Sequence, residues 1–238
     1  MENPTDFHFH TTADGSPSLS FGPIGEWMHH RSGAFSETQY VYGEAITLAW
    51  GTKARRFASV GLGLGYLEIL LAAWAERDRG VEAVRLRSFE SDAHLRRSFT
   101  DWVFHAPSSA ASLYAAYNSI TDRTAALYDV APSLIRFRLK EWHVAGQWTC
   151  EPGLSEETAW QHPVDAILYD PFSSETCPQL WSEAWLGSFL EKAAAPRCVF
   201  ASYASTSVLK KSLGRKRFRL IPREGFAGKR ECTLAVRP

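Results

Sequence analysis

Cysteine is scarce in this chain. Only Cys150, Cys177, Cys198 and Cys232 occur in 238 residues, and no two form a Cys-x-x-Cys pair. That excludes a disulfide-stapled scaffold, makes a zinc site improbable and fits free thiols in a reducing compartment. Long apolar runs are absent too: no stretch of about 18 apolar residues is available to cross a bilayer. The opening Met1-Glu2-Asn3-Pro4-Thr5-Asp6 lacks the basic and apolar regions of a secretory signal. Net charge is missing as well, since 26 Lys and Arg balance 26 Asp and Glu, so overall charge does not select a polyanionic partner. No internal repeat or low-complexity tract occurs. The neighbours His29 and His30 lack a matching carboxylate or cysteine spacing and read as an ordinary surface pair rather than metal ligands. The expectation is a cytoplasmic protein with no membrane segment and no metal.

What is present is an ordinary globular composition, 45% hydrophobic and 22% charged, long enough for one sizeable domain with an appended lobe. Residues 1–50 are rich in turn signals and aromatics, such as Asp14-Gly15-Ser16-Pro17 and Phe21-Gly22-Pro23. They read as a small β-hairpin lobe or lid, followed by a helix from Gly43 to about Trp50. From residue 51 to 238, strand and helix patterns alternate, which predicts an α/β domain with a mainly parallel sheet.

One stretch organises that domain. The apolar run Arg56-Phe57-Ala58-Ser59-Val60 feeds Gly61, Gly63 and Gly65, and a helical pattern begins at Tyr66. A strand, a tight turn and a helix start follow one another, with the turn open to close approach by a ligand. Gly-x-Gly-x-Gly is shorter than the dinucleotide fingerprint, which disfavours a nicotinamide-linked oxidoreductase. It resembles motif I of S-adenosylmethionine (SAM) methyltransferases; the alternative is a turn that binds nothing. The helix runs to about Glu76, with Gly80 placed to cap its C-terminus.

Two further strand ends are aimed the same way. Ala83–Glu90 alternates as a strand, and Glu90 closes it 25 residues beyond the turn, where nucleotide-binding α/β domains hold ribose hydroxyls. Its alternative is an acid at the start of the helix that runs to Phe104. Val164–Tyr169 is an apolar strand that runs into Asp170-Pro171-Phe172. The carboxylate of Asp170 therefore faces the crevice at the C-terminal ends of the strands, unless it serves as a turn or cap residue. Between these strands, 106–133 is compatible with a helical insertion. Leu134–Trp142 alternates as a strand, and Ser155–Gln161 reads as a short helix. Cys198–Tyr203, a helix over Ser205–Leu213 and the strands Phe218–Pro222 and Cys232–Val236 complete the pattern, the last two as an antiparallel hairpin. Leu209–Arg230 carries nine Lys or Arg against one acid, either a phosphate-facing patch or a solvated face.

Asp165–Phe172, the Pro178-Gln179-Leu180-Trp181 that follows, Ser36–Val41, Ser88-Phe89-Glu90 and the closing Gly225-Phe226-Ala227-Gly228-Lys229-Arg230-Glu231 together resemble the MnmC-like methyltransferase family. That family includes the methyltransferase domain of a bacterial enzyme that modifies the wobble uridine of tRNA. The resemblance implies a class I SAM-dependent methyltransferase, a Rossmann-like α/β sandwich closed by an antiparallel hairpin. It implies Gly61, Gly63, Gly65 and Glu90 as SAM-binding residues and Asp170 as the catalytic carboxylate. The family's acid after the third strand has no direct counterpart, and Glu141 is its candidate substitute. Ser59 stands where an acid often precedes the glycine turn.

The function expected is N-methylation of an aminomethyl uridine in tRNA, with any oxidation left to a separate flavin oxidoreductase. Asp170 would hold and deprotonate the amine. Phe172 would wall the pocket, Glu37 and Tyr40 would close it from the N-terminal lobe, and Lys229 and Arg230 would meet RNA phosphates. A small-molecule amine substrate and a non-catalytic RNA-binding module are the alternatives.

Overall fold

The computed structural model describes residues 7–22, 25–53, 55–79, 84–107, 110–229 and 231–238. Its first layer is a small antiparallel sheet in the order β1 (Phe7–Thr11), β2 (Pro17–Phe21) and β3 (Glu26–Trp27). Asp14, in the β1–β2 turn, fastens this sheet to the next helix by accepting from Ser36 N–H at 3.0 Å and Ser36 Oγ at 2.7 Å.

That helix is one continuous run: α1 (Ala34–Thr38), a π-helical turn (Gln39–Gly43) and α2 (Glu44–Gly51). The π turn inserts one residue into the helical register, a device that recurs at functional sites.

The main sheet has seven strands among the described residues. These are β4 (Arg56–Val60), β5 (Arg85–Phe89), β6 (Trp148–Glu151), β7 (Val164–Tyr169), β8 (Ala194–Ser202), β9 (Arg219–Ile221) and β10 (Thr233–Arg237), ordered β6-β5-β4-β7-β8-β10-β9. Pairings from β6 to β8 are parallel, whereas β10 is antiparallel to both β8 and β9. The expected α/β sandwich with a closing antiparallel hairpin is borne out.

Strand alternation divides the core into two faces. Phe57, Ala166, Leu168, Val199 and Ala201 face α2, α3 (Tyr66–Asp78) and α4 (Ala93–Val103). Ala58, Val60, Ile167, Tyr169 and Phe200 face α7 (Pro178–Trp181), α8 (Glu183–Ala193) and α9 (Ser207–Arg215). Helix α3 is buried all round, from Tyr66 to Ala73, because α5 (Ala111–Tyr128) and α6 (Pro132–Val144) lie over it as a further layer.

Helix α6 corrects the strand expected at Leu134–Trp142. Its buried residues are Ile135, Leu139 and Trp142, spaced i, i+4, i+7, while Leu134 and Phe137 are exposed. The apparent alternation came from the exposed Phe137, which falls midway between Ile135 and Leu139. Pro132 opens the helix at a position where its missing N–H is harmless. Arg138 ties it to Glu76 of α3 at 2.5 Å. Residues 155–161 form turns instead of the short helix expected. Gly80 lies outside the described residues; Arg79 supplies the left-handed residue after α3, with φ 54°.

A buried acid sits in this core. Glu68 of α3 is fully buried; its Oε1 accepts from Ser88 Oγ at 2.7 Å, while among the described residues its Oε2 makes no hydrogen bond of ordinary geometry, with the hydroxyl of Ser59 close enough to lower its pKa. Burial pushes its carboxyl up to about 7, against the pull of the Ser88 hydroxyl. The folded state therefore holds a proton that the unfolded chain releases from 4.5 upward, so stability is lost as pH rises to about 7. Glu68→Gln is expected to stabilise the protein by on the order of 2 kcal/mol at pH about 8 and to be near neutral at pH about 5. Urea unfolding at the two pH values checks this; equal effects at both would contradict it.

Candidate active site

The C-terminal ends of β4, β5 and β7 meet beneath the small sheet around a cavity of 640 Å³. Gly61, Leu62 and Gly63 line it from the glycine turn, Glu90 and Ser91 from the end of β5, and Asp170, Pro171 and Phe172 from the end of β7. The residues that sequence reasoning drew from three distant segments thus share one cavity. It also receives Glu37 from α1 and Lys229 from the C-terminal loop.

The turn itself is built by protein contacts. Gly61, Gly63 and Gly65 have φ of 95°, 50° and 72°, a region that side chains resist. A Cβ on Gly61 would lie 2.4 Å from the backbone oxygen of Asp170, and one on Gly65 would lie 2.1 Å from the Phe99 ring. Glycine at 61 therefore lets β7 deliver Asp170 directly beside the turn.

Glu90 bridges two elements. Its Oε2 accepts from Gly63 N–H at 3.0 Å and its Oε1 from Asp92 N–H at 2.9 Å. Burial raises its pKa, and these backbone donors oppose the rise. Ser91 Oγ approaches Oε1 at 3.5 Å, and a carboxylate has acceptor capacity beyond these bonds, which suits a pair of hydroxyls.

Asp170 is half-buried, and Tyr42 donates to its Oδ1 at 2.6 Å. Tyr42 in turn accepts from Tyr203 N–H at 3.3 Å, while Tyr203 donates its hydroxyl to Pro171 O at 3.0 Å. Desolvation drives the carboxyl of Asp170 well above the usual carboxylate range; the Tyr42 hydrogen bond opposes this, Glu37 adds repulsion, and Lys229 offsets part of it. A carboxylate raised in this way is a stronger proton acceptor than an ordinary one.

Glu37 is buried and holds two donors, His30 N–H on Oε2 at 2.6 Å and Lys229 Nζ on Oε1 at 2.7 Å. This ion pair joins the N-terminal helix to the C-terminal loop at the cavity wall. Phe172 lines the cavity, its ring 6.0 Å from Phe21 and its carbonyl bound by Trp181 Nε1 at 2.7 Å.

Several expectations shift. Tyr40 is not among the cavity-lining residues. It donates to Glu224 O at 3.0 Å and lies under the Arg223 guanidinium, 4.1 Å from the ring centre, so it clamps the C-terminal loop from behind. Glu141 stands exposed on the last turn of α6, away from the cavity, because its segment is helix and not a strand end. The acid that does end the third parallel strand, Glu151, is held by Arg87 through two bonds of 2.7 Å. Gly153 and Leu154 line the cavity there instead. Arg230 lies outside the described residues.

The basic strip is largely neutralised at home. Lys210 pairs with Glu231, Lys211 and Arg215 with Glu183, Lys216 with Glu191, and Arg223 with Glu44.

Other wall residues were missed. Trp27, Met28, His29, His30 and Arg31 form a strap along the cavity, and His29 is a wall residue rather than a surface one. Tyr42 had a faint signal, since it directly follows the segment Ser36–Val41, but its aim depends on the π turn.

Known proteins agree with this geometry. Residues 153–238 match the profile of a family described as S-adenosyl-L-methionine-dependent methyltransferase. The tRNA 5-methylaminomethyl-2-thiouridine biosynthesis bifunctional protein MnmC of Burkholderia thailandensis is 29% identical over 219 residues, covering 87% of this chain and 31% of that protein. The MnmC of Paraburkholderia phymatum is 27% identical over 235 residues, covering 91% of this chain and 33% of its own. The chain is a SAM-dependent methyltransferase related to MnmC. SAM is accordingly its cofactor. The chain spans about a third of the length of these curated relatives, at 31% and 33%. The crystal structure of MnmC2 from Aquifex aeolicus shares the fold, with a TM-score of 0.66 at 20% identity over 98% of this chain and 71% of that one. Among the described residues no helix is long and apolar enough to cross a membrane, and no cluster of His, Cys, Asp or Glu could hold a metal ion.

Proposed function

We propose that this methyltransferase N-methylates an aminomethyl group on a tRNA uridine, with Asp170 as the catalytic carboxylate. The observation that carries the reading is a proton-accepting carboxylate set between the glycine turn and an aromatic wall, inside a chain related to MnmC along most of its length.

The wall fits SAM. Glu90 keeps acceptor capacity for the ribose hydroxyls, Ser91, Gly153 and Leu154 line the wall next to it on the side left for the adenine, and Gly61 and Gly63 line the cavity without side chains. The carboxylates of Glu26, Glu37, Glu90 and Asp170 favour a cationic occupant. When bound, SAM supplies an electrophilic methyl group. The protein's share is to orient a neutral amine for in-line attack and to take its proton. Asp170 accepts that proton at its free oxygen, Tyr42 fixes the carboxylate, and Phe172 and Tyr203 shape the acceptor side. The oxidoreductase step implied by the resemblance belongs, in this proposal, to a separate flavin-dependent unit outside these residues.

Lys229, which lines the cavity while paired with Glu37, and its neighbour Arg230 are proposed to meet the RNA backbone, whereas the paired cations of α9, which do not line the cavity, are not. Labelled SAM incubated with total tRNA, and separately with a metabolite extract, tests the substrate. Label is expected in tRNA that carries a free aminomethyl uridine and not in tRNA lacking that amine. Label confined to small molecules would overturn the tRNA reading while sparing methyl transfer. Lys211→Glu and Arg215→Glu should leave tRNA affinity within about twofold, and Lys229→Glu should lower it several-fold and flatten the log–log salt dependence by about 0.7.

A further inference from the structure

The strap over the glycine turn holds a histidine in an unusual state. Met28 is packed where a Cβ on Gly63 would meet its sulfur at 3.3 Å, so the strap lies against the turn. His29 follows, with its ring edge-on to Tyr66, the first residue of α3, at 4.8 Å between centres. It therefore lines the cavity beside the glycine turn, to which Glu90 is also bound through Gly63 N–H.

The tautomer follows from its one bond. His29 Nδ1 lies 3.0 Å from Ser18 Oγ. Ser18 is fully buried, and among the described residues its hydroxyl has no other acceptor. A buried O–H left without an acceptor is costly, so Ser18 donates to Nδ1. The neutral ring then carries its proton on Nε2, which has no protein partner among the described residues. Burial holds the imidazole down to about 4, with Glu37 and Asp14 pulling it up and Lys229 pushing it down, so the ring is neutral at pH 7. The donors that face it are already committed, Tyr66 to Pro17 O at 2.6 Å and Lys229 to Glu37.

The lining carboxylates of Glu26, Glu37, Glu90 and Asp170 offer acceptors in excess, and the donors that the strap brings to an anionic group are the guanidinium of Arg31 and the ring of His29. SAM carries one such group, the carboxylate of its amino-acid end. We propose that the Nε2–H of His29 is a hydrogen-bond donor to that carboxylate, supplied by the N-terminal strap at the glycine-turn end of the cavity. This contact rests on the reading of the cavity as the SAM site. No charge on the ring is needed, because the neutral tautomer already presents the donor.

Calorimetry with the whole chain tests it, using SAM, its demethylated product and 5′-methylthioadenosine, which keeps the nucleoside and sulfur but lacks the amino-acid end. His29→Ala is expected to weaken the first two by roughly tenfold, the scale of a hydrogen bond to a charged group, and to leave 5′-methylthioadenosine within about twofold. His29→Gln, whose amide nitrogen reaches near the Nε2 position, should restore most of the loss. Nitrogen NMR of the free protein should show the ring protonated on Nε2. An equal loss for all three ligands would make His29 a packing residue and overturn the contact, as would no loss or an Nδ1-protonated ring. If the unaltered chain bound none of the three, the cofactor reading itself would fall.

Discussion

Asp170→Asn is expected to lower turnover by roughly 10²–10⁴-fold while leaving SAM affinity nearly unchanged. The amide matches the carboxylate in shape and still accepts from Tyr42, so the wall of the cavity stays in place. What disappears is the ability to take a proton from the incoming amine. The same substitution is expected to make the protein more stable at neutral pH. Desolvation, with Glu37 adding to it, raises the Asp170 pKa above its ordinary 3.8. Above 3.8 the unfolded chain gives up this proton while the folded state keeps it, so the carboxyl progressively destabilises the fold as pH rises. Asparagine removes that dependence. The stability gain should shrink as pH is lowered and vanish below 3.8. The parent enzyme's rate should fall as pH drops through the raised pKa, because a protonated Asp170 no longer accepts. Labelled-methyl assays and thermal unfolding across pH read both effects. A variant that keeps more than about a tenth of the parent rate would remove Asp170 from the catalytic role.

The parallel core was legible because its signals are local and redundant. An apolar strand, alternating glycines and a helix start at Arg56–Tyr66 specify one another, and Val164–Asp170 repeats the strand-to-crevice grammar. Topology then does the rest: strands paired in parallel deliver their C-terminal ends to one side, so Gly61, Glu90 and Asp170 converge without any direct sequence link. Segment 134–142 was illegible for the opposite reason. Its exposed Phe137, midway between the buried Ile135 and Leu139, counterfeits a period of two, and the true partner of its buried face is α3, far back in the chain. The misplacement of Glu141 follows directly from that. The basic strip looked like a free patch because its acidic partners, Glu183, Glu191 and Glu44, lie well outside it in sequence. Tyr42 and His29 depend on tertiary placement alone, one through a π turn and one through a strap laid across a different sheet.

Gly61→Ala is expected to destabilise the fold by about 2–5 kcal/mol, the sum of forcing a Cβ into a left-handed backbone and overpacking it. At φ 95° an alanine is strained before any contact is counted. Its Cβ would then lie 2.4 Å from the carbonyl oxygen of Asp170, a backbone atom with no rotamer to yield. Two further bonds hold that geometry: Gly61 N–H donates to Phe89 O at 2.9 Å, and Asp170 N–H donates to Val60 O at 2.8 Å. Relief is possible only by separating the ends of β4 and β7, which moves Asp170 away from the glycine turn. The variant should therefore lose activity out of proportion to its unfolded fraction, even where it remains folded. Gly146→Ala is the control, since its φ is also positive at 65° but nothing lies within 4 Å of the added atom. It should cost about 1–2 kcal/mol, from backbone strain alone, and leave turnover unchanged. Denaturant unfolding of both variants separates strain from collision. Equal destabilisation at the two positions would mean that the junction of β4 and β7 yields freely, and that the glycine turn does not set the position of Asp170.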